Sequence, residues 1–269
     1  MTAEDAAALD DPTRRLVVAD ITVTTVRQAL AKGFRDFRAA PLVGASVGLF
    51  FAAGGWIVFY MVEFAGLIYL AYPTAAGFAL LGPFTATVLY EVSMRLAAGR
   101  PAPFGETIGG ALKKGRERLS WLPMITLFGF IIWLDVAAAL YAIFFGVKSP
   151  EIPQLFIDIL TTPTGLLFLV VGNAIGAFFA VMLFSISVMS YPLLMDRGID
   201  PVTAIMTSVK AVKTNPVPLI GYGFFVAVTL AASTLTAFLA LLVVMPLLGH
   251  TTWHLYKATV HVEDDGAGF

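Results

Sequence analysis

The chain has 269 residues, of which 58% are hydrophobic and 13% charged, with a formal net charge of −1. Charged residues usually make up about 25% of a soluble domain, and a soluble chain of this length cannot hide so much apolar surface behind a wetted exterior. A soluble globular protein is therefore excluded, and the absence of cysteine also removes disulfides, thiolate metal sites and cysteine nucleophiles.

Residues 1–24 read as a disordered acidic cytoplasmic tail. Glu4, Asp5, Asp10, Asp11 and Asp20 leave no apolar core for a signal peptide, so the first membrane helix must act as the insertion signal. Residues 25–262 read as a single membrane domain and 263–269 as a short acidic C-terminal tail. A crossing needs roughly 20 mostly apolar residues. Pro41–Val62 meets this, and Ala75–Leu96 follows a turn at Tyr69–Pro73. Leu122–Val147 comes next, then Thr164–Leu194, which is long enough to tilt. The segment 149–163, with Pro150, Pro153 and Pro163, is expected along the outer surface. The last apolar block, Val217–Val260, would be about 66 Å long as one helix. That is twice the hydrocarbon thickness, so a turn near Ser233–Thr236 divides it into two crossings.

Charge placement agrees with six crossings. Cations favour the cytoplasmic side of short loops. Arg14, Arg15, Arg27, Lys32, Arg35 and Arg38 precede the first span. Arg95, Arg100, Lys113, Lys114, Arg116 and Arg118 close or follow the second. Arg197, Lys210 and Lys213 separate the fourth from the fifth, and Lys257 ends the sixth. Lys148 alone falls outside. A repeat supports the same count: with Pro41 aligned on Pro123, Ala29-Leu30-Ala31-Lys32-Gly33 lies over Ala111-Leu112-Lys113-Lys114-Gly115. Asp200 to Pro216 forms a looser third copy. Each copy is an amphipathic cytoplasmic helix, a basic end, a proline and a membrane hairpin. The apolar stripes are Val26, Leu30, Phe34, Phe37; Ile108, Leu112, Gly115, Leu119; and Val202, Ile205, Val209, Val212. The expected fold is an all-α integral membrane bundle of six transmembrane helices in three hairpin repeats, with both termini in the cytoplasm of a bacterium-like cell.

Five segments resemble a family of bacterial inner-membrane proteins catalogued as domain-of-unknown-function family 2189. They are Lys32-Gly-Phe-Arg-Asp-Phe-Arg-Ala-Ala-Pro41, Leu80-Leu-Gly-Pro-Phe84, Tyr191-Pro-Leu-Leu-Met-Asp-Arg-Gly-Ile-Asp-Pro201, Lys213-Thr-Asn-Pro216 and Pro246-Leu-Leu-Gly-His-Thr-Thr-Trp-His-Leu-Tyr-Lys257. The last is the most specific, and the resemblance covers about residues 25–262. It implies location and fold, and no established reaction. Members are sometimes labelled as similar to cytochrome c oxidase subunit I. Such a subunit holds haem and copper through histidines on several helices, whereas His250, His254 and His261 crowd one end of this chain. The helix-plus-hairpin plan also distantly resembles the membrane domain of some glycerophosphodiester phosphodiesterases, whose catalytic domain is missing here.

Several residues stand out chemically. His250 and His254, four apart, share a helix face and could chelate a metal or haem; the alternative places them at the inner interface in an aromatic belt with Trp253 and Tyr256. Asp135 lies near the middle of the third span, where it is a proton or substrate site or a protonated acid bonded to Asn173, to Ser185 or Ser187, or to a backbone carbonyl. Glu91 and Arg95 have the spacing of a helical ion pair. Gly44, Gly48 and Ala52, and Gly172, Gly176 and Ala180, form two small-residue seams for close helix packing.

Attraction of the basic helices to an anionic cytoplasmic leaflet accounts for their charge, so nucleic acid is not an expected partner. No P-loop, GxSxG, GxGxxG or Ser-His-Asp order appears, which leans away from an enzyme. Three readings stay open: a non-catalytic accessory, assembly or scaffold component of a larger membrane complex; a transporter or lipid-handling protein using Asp135, Asn173, Glu91 and the prolines Pro83, Pro192 and Pro246; or a haem or metal protein through His250 and His254.

Overall fold

The computed structural model describes residues 16–64, 68–146 and 152–262. Helix dominates these residues, and sheet among them is confined to one two-stranded ribbon. Among the described residues four helical stretches are long and apolar enough to cross a membrane: Pro41–Glu63, Leu122–Phe145, Pro163–Arg197 and Pro216–Thr236. By its contacts the chain forms two compact units. One holds the chain up to Pro123 and again from Ile186; the other is Met124–Ser185.

In the first unit, β1 (Leu16–Val18) pairs antiparallel with β2 (Val260–Val262), Val17 opposite His261. Residues 16–24 form this strand and the approach to the first helix, whereas residues 1–15 and 263–269 lie outside the described residues. The approach is held by a side chain far away in sequence. Asn215 accepts from the Ile21 amide at 2.7 Å and donates to the Ala19 carbonyl at 3.0 Å, a two-point clamp on extended backbone. Helix α1 (Val23–Ala39) then starts in a capping box, Thr22 and Thr25 bonding each other's amides through their hydroxyls. Pro41 opens α2 (Pro41–Glu63) at a position where its missing N–H costs nothing.

Helix α3 (Ile68–Ala97) begins earlier than expected and runs through the Tyr69–Pro73 segment read as a turn. A proline so near a helix start removes only one ladder bond, which the rest of a long helix tolerates. Helix α4 (Phe104–Arg118) lies against α3. After α5 (Leu122–Phe145), α6 (Ile152–Thr161) and α7 (Pro163–Ser187) come α8 (Ser190–Arg197), α9 (Pro201–Thr214) with Asp200 as N-cap, and α10 (Pro216–Ala232). A 3₁₀ turn, Ser233–Thr236, separates α10 from α11 (Leu241–Thr259), so the last apolar block is two helices broken where a turn is expected. The turn continues through Ala237 and Phe238 with φ of 48° and 65°, and Trp56 Nε1 on α2 donates to the Ala237 carbonyl at 2.7 Å.

Helix α11 packs against α1, α2 and α3. Small residues permit the approach: Gly33 of α1 lies against Thr251, and Gly44 and Gly48 of α2 against Pro246 and the backbone of Leu241 and Leu242. The first expected seam is therefore filled from within the chain, with Ala52 fully buried. Beside it Val43, Val47, Leu89, Val92 and Ala111 form a close-packed core. The shorter helices turn small side chains inward. Ala29 and Gly33, Ala111, and Ala204 and Ala211 are buried, while Phe34, Leu112, Val202 and Met206 are exposed.

The second unit comprises α5 (Leu122–Phe145), α6 (Ile152–Thr161) and α7 (Pro163–Ser187) apart from their ends at Leu122, Pro123, Ile186 and Ser187. Residues 147–151, including Lys148, lie outside the described residues. Helices α6 and α7 meet where Gly165 sits against the backbone of Asp158 and Ile159. Trp133 of α5 packs on Phe179 of α7 with ring centroids 5.5 Å apart. The second seam stays open: Gly176 meets Trp133, yet nothing lies within 4 Å of a side-chain carbon placed at Gly172, and Ala180 is exposed. The expected continuous span Thr164–Leu194 breaks at Val188 and Met189, between α7 and α8. Pro192 cannot donate to the Val188 carbonyl, and the Met189 amide goes instead to Ser208 Oγ at 3.1 Å.

Candidate functional site

Where α1, α3 and α11 meet, four polar side chains join. Residues 29, 33, 36 and 40 share one face of α1, so Asp36 is aimed with Ala29 and Gly33 at α11. Its Oδ2 accepts from His254 Nε2 at 2.7 Å and from Ser93 Oγ at 2.7 Å. Ser93 Oγ also lies 2.9 Å from His250 Nδ1. Ser93 has one proton, and the carboxylate takes it. His250 therefore carries its proton on Nδ1 and donates it to Ser93. The His250 Nε2 lone pair is left fully buried and has no hydrogen-bond partner among the described residues.

This arrangement holds and orders protons; it is not a nucleophile triad, in which the carboxylate would orient the imidazole while the imidazole faced the serine. Burial pushes the Asp36 carboxyl up, but hydrogen bonds from His254 and Ser93 outweigh it and hold the group below the ordinary aspartate value. A depressed carboxylate contributes stability above its unfolded value, near 3.9, and loses it as pH falls through the folded value. The thermal midpoint of the detergent-solubilised protein should thus drop below about pH 4. In the Asp36→Asn variant that part of the acid drop should vanish; an unchanged profile would refute the linkage.

Around the cluster, the aromatic belt expected at Trp253 and Tyr256 is instead internal, both rings being buried. Trp253 packs against Tyr90, with centroids 6.3 Å apart. Tyr256 Oη donates to Asp196 Oδ2 at 2.7 Å, and Lys257 Nζ reaches the same oxygen at 3.1 Å. Neighbouring helices cover these residues, which periodicity along one helix cannot reveal. His254 and His250 each have a protein partner on one nitrogen, and among the described residues no group of three or more His, Asp or Glu side chains is placed to hold a metal.

Glu91 and Arg95 pair as their spacing predicts, Arg95 Nε donating to Glu91 Oε1 at 3.0 Å. Lys114 of α4 adds a second cation on Glu91 Oε2 at 2.7 Å, and Arg95 extends to Glu106 at 3.2 Å. Asp135 and Asn173 belong to the second unit. The expected bond between them is absent because Asn173 Nδ2 donates to the Leu169 carbonyl one turn back, at 2.7 Å. Asp135 is exposed on α5 and makes no hydrogen bond or ion pair among the described residues. Reading the sequence missed Asp36 and Ser93. The available signal was a lone carboxylate on the small-residue face of α1.

No curated protein and no solved structure matches the chain. Residues 71–196, from within α3 to Asp196 in α8, match the model of the family described as "Predicted integral membrane protein (DUF2189)", the family that the motifs of the chain resemble.

Proposed function

We propose that this protein is a non-catalytic subunit, an assembly or scaffold component of a larger complex in the bacterial inner membrane. In this reading six helices cross as three hairpins, α3 and α11 joining the four long apolar stretches. The pairing of β1 with β2 supports an even number of crossings, because it brings residues 16 and 262 to one place. The basic flanks then put both ends in the cytoplasm.

One observation carries the functional reading. Asp135 sits midway along a 24-residue helix whose apolar window holds no fully buried residue. A carboxylate at the bilayer centre costs roughly 2.5–3.5 kcal/mol on insertion scales, and in this reading a donor from another chain meets it. Purification in a mild detergent should yield a stoichiometric partner, and Asp135→Asn should cut its recovery about tenfold, the equivalent of ~1.4 kcal/mol. A clean monomer from several detergents, or a partner indifferent to the substitution, defeats the proposal. The transport reading uses the same residue, and a variant that keeps its partner but loses uptake would favour it.

A second reading is supported by His250. Its buried Nε2 is bare while Nδ1 is fixed by Ser93, the orientation that ligating imidazoles receive from their surroundings. The reading is that this nitrogen takes haem or a metal ion. An optical spectrum and metal analysis of the purified protein decide it.

A further inference from the structure

A groove of about 690 Å³ opens between α3, α4 and the start of α5, within the roughly 300–1,000 Å³ of ligand pockets. Phe84, Leu112, Leu119 and Pro123 make its wall apolar, and Lys113 and Arg116 stand on its lip. The other cations of this region are engaged: Lys114 and Arg95 with Glu91, and Arg118 with the carbonyls of Met195 and Asp196 at 2.8 and 2.9 Å. Lys113 and Arg116 are exposed and make no ion pair among the described residues. Glu117, the adjacent carboxylate, does not line the groove.

We propose that this groove binds one acidic phospholipid of the surrounding leaflet, its phosphate on Lys113 and Arg116 and the start of an acyl chain between Phe84 and Pro123. The occupant follows from charge and position. Pro123 is the second residue of α5, which is long and apolar enough to cross a membrane, so the apolar wall continues into hydrocarbon while the lip lies at headgroup level. Two unpaired cations at that depth select a negative headgroup, and the apolar wall gives a soluble phosphate nothing to fill it.

The test is lipid retention by the full-length protein after exchange into micelles with equal phosphatidylglycerol and phosphatidylcholine, read by mass spectrometry of the bound lipid. The native protein should keep phosphatidylglycerol in about tenfold preference, and Lys113→Ala/Arg116→Ala should bring the two lipids to parity. Gly115→Leu should expel the lipid while leaving both charges, since a side chain there has room to begin, 3.8 Å from Leu119 and 3.9 Å from Thr87, and then fills the groove. Arg27→Ala/Lys32→Ala on α1 should change nothing, nor should Asp135→Asn, which separates this site from the partner contact. The proposal is overturned by a native protein without preference, by a preference surviving Lys113→Ala/Arg116→Ala, by lipid retained in Gly115→Leu, or by an equal loss in the α1 variant.

Discussion

Replacing Glu91 with alanine is expected to cost about 3 kcal/mol of stability, at the low end of what breaking a buried ion pair costs. Glu91 is only 3% exposed at its side chain, and it neutralises Arg95 and Lys114 at the junction of α3 and α4. Without it, two cations face each other in a partly buried space. Both retain some access to water, Arg95 at 16% and Lys114 at 30%, and Glu106 still holds Arg95 from outside, which keeps the loss from the upper end. Glu91→Gln keeps hydrogen-bonding capacity and should lose about half as much. Replacing Glu91 and Lys114 together by leucine and methionine should recover much of the deficit, because removing both partners of a buried pair costs less than orphaning one. Thermal unfolding of the four proteins in one detergent measures the series. An alanine variant that melts with the native protein would show that the network contributes nothing.

Gly48→Leu should do comparable damage for a different reason. A side-chain carbon at Gly48 would collide with the backbone of Leu241 and Leu242 at the start of α11. Backbone cannot rotate aside as a flexible side chain can, so α2 and α11 would have to separate along their whole contact. Overpacking of this kind costs about 3 kcal/mol or more, and loss of detergent-stable material is the expected readout. Gly172→Leu provides the contrast. It belongs to the same kind of sequence pattern, yet meets nothing, and should stay within about 0.5 kcal/mol of the native protein. Equal behaviour of the two variants would refute the packing argument.

These two glycines mark how far the sequence could be read. Both seams show the same spacing of small residues, and spacing alone does not say whether a helix is waiting opposite. Likewise, the apolar stripes on α1, α4 and α9 are visible as periodicity. Val26, Leu119 and Val212 of these stripes are buried together with Ala29, Gly33, Ala111 and Ala204, while Phe34, Leu112 and Val202 point away. Size complementarity with the neighbouring helix chose the face, and hydropathy does not encode it. The ion pair of Glu91 with Arg95 was legible because both ends lie on one turn of one helix. The contributions of Lys114 and Glu106 arrive from α4 and were not.

By itself the sequence determined the membrane-embedded, helical character of the chain, the long apolar segments and the break at Ser233–Thr236. All of these follow from composition and local pattern, which act over a single helix. Only the tertiary structure decided that Asp36 meets Ser93, His250 and His254, that Asn215 clamps the strand before α1, and that Asp135 finds no companion among the described residues. Those outcomes depend on which helices come together across intervals as long as 218 residues. A pairing at that distance is set by the packing of the whole unit, not by the chemistry of either segment alone.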